Sequence, residues 1–131
     1  MFGLGIRLTA TGIDDALDRL DGLERAIRLA IVVELERWGR VVTEEMIQTH
    51  SFQNITGRLE RSIGYTVEEW RSNAVVLTVS ALAPYAEAVE TGTPNSRPYP
   101  FFWPSFYKYL PDLEPRLAAA IAEAIKDYSV S

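Results

Sequence analysis

Apolar side chains at Ile13, Leu17, Leu20, Ile27, Ile31, Leu35, Trp38, Val42 and Met46 recur at gaps of three, four and seven residues. That spacing is the stripe of an amphipathic helix. It constrains the fold more than any other feature. A continuous helix from Thr11 to about Thr49 would be on the order of 55 Å long at 1.5 Å per residue, more than one compact domain of this size covers. Part of the stripe is therefore expected to face a neighbouring subunit. Thr11 is placed as the N-cap, with Asp14 in the capping-box position and Asp14 and Asp15 at the positive end of the helix dipole. Gly22 and Gly39 fall inside the pattern, each costing about 1 kcal/mol against Ala, so one bent helix or two collinear pieces are both compatible with it.

Elsewhere the period is two. Residues 2–10 (FGLGIRLTA) alternate loosely, with Ile6 and Leu8 flanking Arg7, and predict a short strand. The polar, turn-rich stretch from His50 to Gly57 reads as a loop. Ile63, Tyr65 and Val67 then alternate with polar partners up to Trp70, and Val75, Leu77 and Val79 alternate with Ala74, Val76 and Thr78. The turn Arg71-Ser72-Asn73 between them predicts a β-hairpin with these three residues at its tip. The second strand is apolar on both faces, which places it centrally in a sheet or against a partner.

Pro84 ends that strand. Tyr85 to Glu90 reads as a short helical turn or strand, and Thr91 to Pro94 as a turn in which Gly92 suits a positive φ. Residues 95–106 (NSRPYPFFWPSF) interleave prolines with aromatics and predict a rigid extended segment. From Leu110 to Tyr128 a helical period returns through Leu113, Leu117, Ile121, Ala124 and Ile125, with Pro111 and Pro115 expected near its first turn. The expected architecture is α+β: one domain over 1–131, in which a long N-terminal helix and a C-terminal helix pack on a small antiparallel sheet with a β-hairpin.

Composition then excludes several kinds of chemistry. The 131 residues contain no cysteine, so disulfides, thiol nucleophiles and thiolate metal sites are ruled out. The formal charge of −5 repels phosphate, which argues against tight nucleic-acid binding as the main task. No apolar run approaches the roughly 20 residues that span a bilayer, and the N-terminus does not read as a signal peptide. His50 is the one histidine. Ser51 and Ser62 could be imagined beside it, but neither stands in a nucleophile-elbow context. Glu44 with Glu45 and Glu68 with Glu69 are adjacent pairs whose side chains point in different directions, as expected of solvated faces. Gly3 and Gly5 do not continue into a dinucleotide fingerprint. No catalytic residue, metal site or cofactor is expected.

The aromatic cluster Tyr99, Phe101, Phe102, Trp103, Phe106, Tyr107 and Tyr109 is the strongest local anomaly. Its members either close the core or anchor a partner, because aromatics dominate both cores and interface hot spots. Just upstream, Glu90 is placed to receive Arg97 across the turn at Gly92, with Tyr85 completing a lock on the loop.

The motifs follow a recognisable order. Thr56-Gly57-Arg58-Leu59 and Arg61-Ser62-Ile63 precede the hairpin. Pro84-Tyr85-Ala86, Val89-Glu90-Thr91-Gly92-Thr93, Arg97-Pro98 and Pro100-Phe101-Phe102-Trp103-Pro104 follow it. Over most of residues 13–128 this resembles the tail-completion and minor tail (neck) protein family of lambdoid and related long-tailed bacteriophages. Trp103-Pro104-Ser105 departs from the family's usual small residue after proline. The resemblance implies a structural virion protein without catalytic activity, one that takes part in an oligomeric ring at the head–tail junction. It implies a homo-oligomer, other phage neck and tail proteins as partners, DNA passing through the lumen without specific binding, and no membrane. It also implies assembly in the host bacterial cytoplasm. A tail terminator or head-closure ring protein is the alternative within the class. A small ligand-binding or enzymatic module using residues 99–109 is the alternative outside it. The residues expected to lock the loop or meet a partner are Tyr85, Glu90, Gly92, Arg97, Tyr99, Phe101, Phe102 and Trp103, with Arg71, Ser72 and Asn73 at the hairpin tip.

Overall fold

A computed structural model of the protein describes residues 3–10, 21–48, 57–70 and 74–130. In chain order the elements are β1 (Leu4–Ala10), α1 (Asp21–Gln48), α2 (Arg58–Ser62), β2 (Ile63–Trp70), β3 (Ala74–Ala81), α3 (Ala86–Thr91) and α4 (Trp103–Val130). The class is α+β, as expected. Thr11, Ile13, Asp14, Asp15, Leu17, Leu20, the stretch His50 to Thr56 and the hairpin tip Arg71-Ser72-Asn73 lie outside the described residues.

The strands form one antiparallel sheet in the order β1-β3-β2, so β3 is central, one of the two placements its apolar faces allow. Register aligns the apolar side chains in rows across the sheet. Leu4, Ala81 and Ile63 form one row, Ile6, Val79 and Tyr65 the next, and Leu8, Leu77 and Val67 a third. All of these rows belong to the core or pack against it. Cross-strand rows of β-branched and aromatic residues are the unit of sheet stability. On the opposite face Thr78 lies between Arg7 and Thr66, and Val76 between Thr9 and Glu68. Val76 is only 1% exposed there.

α1 is a single helix of 28 residues, about 42 Å long. One side of it lies on β2 and β3, and another carries α4. The predicted stripe residues Ile27, Ile31, Leu35, Trp38, Val42 and Met46 are all buried in this middle layer. The C-terminal helix thus closes the core mainly by lying on α1. The two long helices run antiparallel: Gly22 approaches Tyr128, Glu34 approaches Arg116, and Glu45 holds Lys108.

Both glycines inside α1 are explained by close approach. A Cβ on Gly39 would sit 2.8 Å from Cδ2 of Tyr65 and 3.2 Å from Cδ1 of Leu77, so this turn presses directly on the sheet. A Cβ on Gly22 would meet Tyr128, a half-exposed side chain near the end of α4 that is able to swing aside. Gly39→Ala is therefore expected to destabilise by about 1–3 kcal/mol, overpacking outweighing the ~1 kcal/mol gain in helix propensity. Gly22→Ala is expected to be neutral or stabilising by up to about 1 kcal/mol. Urea denaturation of the two variants gives the comparison, and equal midpoints would contradict it.

The proline-rich segment corrects two expectations. It is extended only as far as Phe102, because α4 starts at Trp103, well before Leu110. Pro111 and Pro115 lie inside α4, past its first turn. Pro104 takes the second helical position, where the missing amide has no intrahelical partner to lose. Pro111 and Pro115 each remove a helical hydrogen bond at a cost of about 3 kcal/mol. Both lie on the exposed side, and burial of Phe106 and Leu113 against α1 offsets them.

Candidate functional site

Glu90 and Gly92 meet the returning residues 98–103 at the end of α3, while Tyr85 and Arg97 do not reach the carboxylate. α3 ends at Thr91, and Gly92 leaves it at φ +83° while its amide donates to the Ala88 carbonyl. Thr93 and Ser96 exchange backbone hydrogen bonds of 2.8 and 3.2 Å around Pro94-Asn95, which reverses the chain. The returning strand passes so close that a Cβ on Gly92 would lie 2.9 Å from the Pro98 nitrogen. Glycine is thus required twice here, by φ and by space. The Tyr99 amide then bonds the Val89 carbonyl at 2.8 Å, which delivers residues 101–103 to Glu90.

Glu90 is buried, and its carboxylate accepts three backbone amides. Oε1 takes Phe101 and Phe102 at 2.8 Å each, and Oε2 takes Trp103 at 3.0 Å. These are the free donors at the start of α4, so Glu90 caps that helix from a neighbouring element and places negative charge on its dipole. Arg97 is not its partner. The guanidinium lies 5.0 Å from the centre of the Tyr99 ring, out at the exposed turn. The expected Glu90–Arg97 pair fails because three convergent amides already satisfy the carboxylate in a place that excludes water, whereas Arg97 remains solvated where it is. Tyr85 stands at the N-cap of α3, half-buried against the core.

The aromatic cluster divides by burial. Phe101, Phe102 and Phe106 are in the core. Trp103 is half-buried and meets Phe102 and Phe106 edge-on at 4.9 and 5.9 Å. Tyr107, at 61% exposed, is the outermost ring. Trp38 joins the stack edge-on to Phe106 at 5.7 Å, and its Nε1 donates to the Tyr109 carbonyl at 2.9 Å. Beside it, one oxygen of Glu45 accepts both Lys108 Nζ at 2.8 Å and Tyr109 OH at 2.7 Å. Those bonds hold both donors protonated, so the Lys108 ammonium and the Tyr109 phenol titrate above their ordinary ranges. This cluster ties α1 to α4 across more than 60 residues of sequence.

Further along the same helix pair is a groove of about 800 Å³. Leu29 and Val33 of α1 stand beside it at 62% and 47% exposed, facing Ala119, Ala120 and Ala124 of α4. Glu34 is buried at one end, 3.4 Å from Arg37 and 3.8 Å from Arg116. The groove is not among the partner-facing residues expected from sequence, which are part of the main stripe, the hairpin tip and residues between Tyr85 and Trp103. The faint signal for it is a second apolar line, at Leu29 and Val33, displaced around the helix from the main stripe. Among the described residues, no group of three or more His, Asp or Glu is arranged to hold a metal ion, and no helix is long and apolar enough to cross a membrane.

No family model, curated protein or solved structure matches the chain.

Proposed function

We propose that this protein is a non-enzymatic structural subunit of a tailed bacteriophage, part of an oligomeric ring at the head–tail junction. A tail terminator or head-closure ring is the alternative position. The observation that carries the reading is where the ordered motifs fall in the fold. Gly57 opens α2 at φ +70°, and Leu59 and Ile63 enter the core. Ala86, Glu90 and Gly92 build α3 and its exit, and Phe101 to Trp103 start α4 beneath the Glu90 carboxylate. The residues that carry the resemblance are thus the ones that specify the backbone path. That is the pattern of a shared scaffold, in which side chains serve shape rather than reaction chemistry.

Charge supports the same reading. A chain of net charge −5 gives a ring lumen little attraction for phosphate, so DNA passes without sticking. The rival reading, a ligand pocket built on residues 99–109, is disfavoured by the burial of Phe101, Phe102 and Phe106 against one another and the core. Quantitative peptide mass spectrometry on purified particles from the genome encoding this chain tests the proposal. The expected result is a low copy number, similar to other ring proteins and far below the major capsid and tail-tube proteins. Absence from finished particles would overturn it.

A further inference from the structure

We infer that the groove between α1 and α4 is a two-fold contact, and that its occupant is the same groove on a second copy of this chain. The apolar part explains why the face needs covering. Leu29 and Val33 expose more of their surface than helix residues beside a core usually do, and they border a low wall of alanines. Singly exposed apolar residues need no explanation, but a contiguous apolar trough along two helices marks an interaction surface.

The charges select the occupant. Along the groove face of α4 the order is Arg116, then Ala119 and Ala120, then Glu123, then Ala124, then Asp127. One end carries Arg116 and Arg37, both within ion-pair distance of the buried Glu34 carboxylate yet more than half exposed, for a net positive charge, and the other end is acidic. Arg116 and Asp127 are about 16 Å apart along the helix at 1.5 Å per residue. A two-fold axis crossing the helices at right angles reverses this order. It brings Arg116 of each copy to Asp127 of the other, packs Ala119 against Ala124, and sets Leu29 of the two copies together near the axis. Alanine faces let two helices approach closely, and an isologous contact of this kind is satisfied by one surface patch used twice. An unrelated helix would need the inverse charge order on a matching apolar strip, which a second copy already carries. The contact area, two helix faces about three turns long, is at the small end for stable pairs, so the dimer is concentration-dependent. It is separate from the ring contacts proposed above and does not rest on them.

Sedimentation velocity of the full chain across a concentration series is the test. The wild type is expected to pass from monomer to dimer. Asp127→Arg, Arg116→Asp and Leu29→Ser are each expected to weaken the dimer at least tenfold. The combined swap R116D/D127R is expected to recover part of the loss, the rest being the Glu34 contact that Arg116 gives up. Asp127 is exposed near the end of α4, so its substitution leaves the fold intact, and thermal melting confirms this for every variant. A monomer at all concentrations overturns the inference, as does a dimer indifferent to these substitutions or one the swap fails to restore. Larger rings that ignore all four variants also overturn it, while leaving the ring proposal standing.

Discussion

Glu90→Gln is expected to destabilise the protein by about 2–4 kcal/mol, although it changes one oxygen for one nitrogen. The carboxylate accepts three amides at 2.8 to 3.0 Å in a site closed to water. A carboxamide has one acceptor oxygen, and its NH2 group presents donors to a donor. At least one amide at the start of α4 then loses its partner, and an unsatisfied buried donor costs about 1–3 kcal/mol. Loss of the charge at the helix N-terminus adds up to about 2 kcal/mol in a partly buried setting. Total stability for a domain is about 5–15 kcal/mol, so the loss is a large fraction of it. Glu90→Ala is expected to be worse, because all three amides are orphaned and a void remains. Chemical denaturation reads the effect as a lower midpoint at unchanged slope. A change under about 0.5 kcal/mol would mean that the cap contributes little.

Phe102→Ala is expected to cost about 3–5 kcal/mol, the range for deleting a large aromatic side chain from a packed core. Phe102 is 0% exposed and packs edge-on against Phe101 at 6.3 Å and Trp103 at 4.9 Å. The same truncation at Tyr107, the exposed ring of the cluster, is expected to cost less than about 1 kcal/mol. Were Phe102 a partner anchor, its loss would leave the isolated subunit as stable as the wild type. The two substitutions also share a region, because the Phe102 amide bonds Glu90. The double variant Glu90→Gln with Phe102→Ala is therefore expected to lose less than the sum of the single losses.

Much of this fold is legible along the chain. The stripe from Ile27 to Met46 names the apolar face of α1, but the part expected to face a neighbouring subunit is, over these residues, buried within the chain. The alternation at Ile63 to Val67 and Val75 to Val79 names the hairpin; the two apolar faces of β3 fit the centre of a sheet or a partner contact, and the strand order decides for the centre. Gly92 announces its positive φ. The aromatic segment was ambiguous for a physical reason: cores and interfaces select the same rings, and only burial separates Phe102 from Tyr107.

The C-terminal half of the fold was less legible, because prolines mislead when tertiary contacts outweigh local cost. Three prolines lie within α4, and propensity alone would delay the helix to Leu110. It starts at Trp103 because a carboxylate thirteen residues upstream in sequence gathers its first amides. The charge pair of Glu90 with Arg97 follows only from proximity along the chain. In three dimensions the backbone donors lie nearer and drier than the guanidinium.

Local periodicity and backbone sterics specify the α+β class, the apolar stripe of α1, the hairpin and the glycine at position 92. The tertiary structure alone decided that Gly39 and Gly22 mark close approaches, that Glu45 joins Lys108 and Tyr109, that Glu90 caps α4, and that Leu29 and Val33 border an open groove. Each of these depends on what a second segment, distant in sequence, brings to within a few ångströms, and such distances leave no period along the chain.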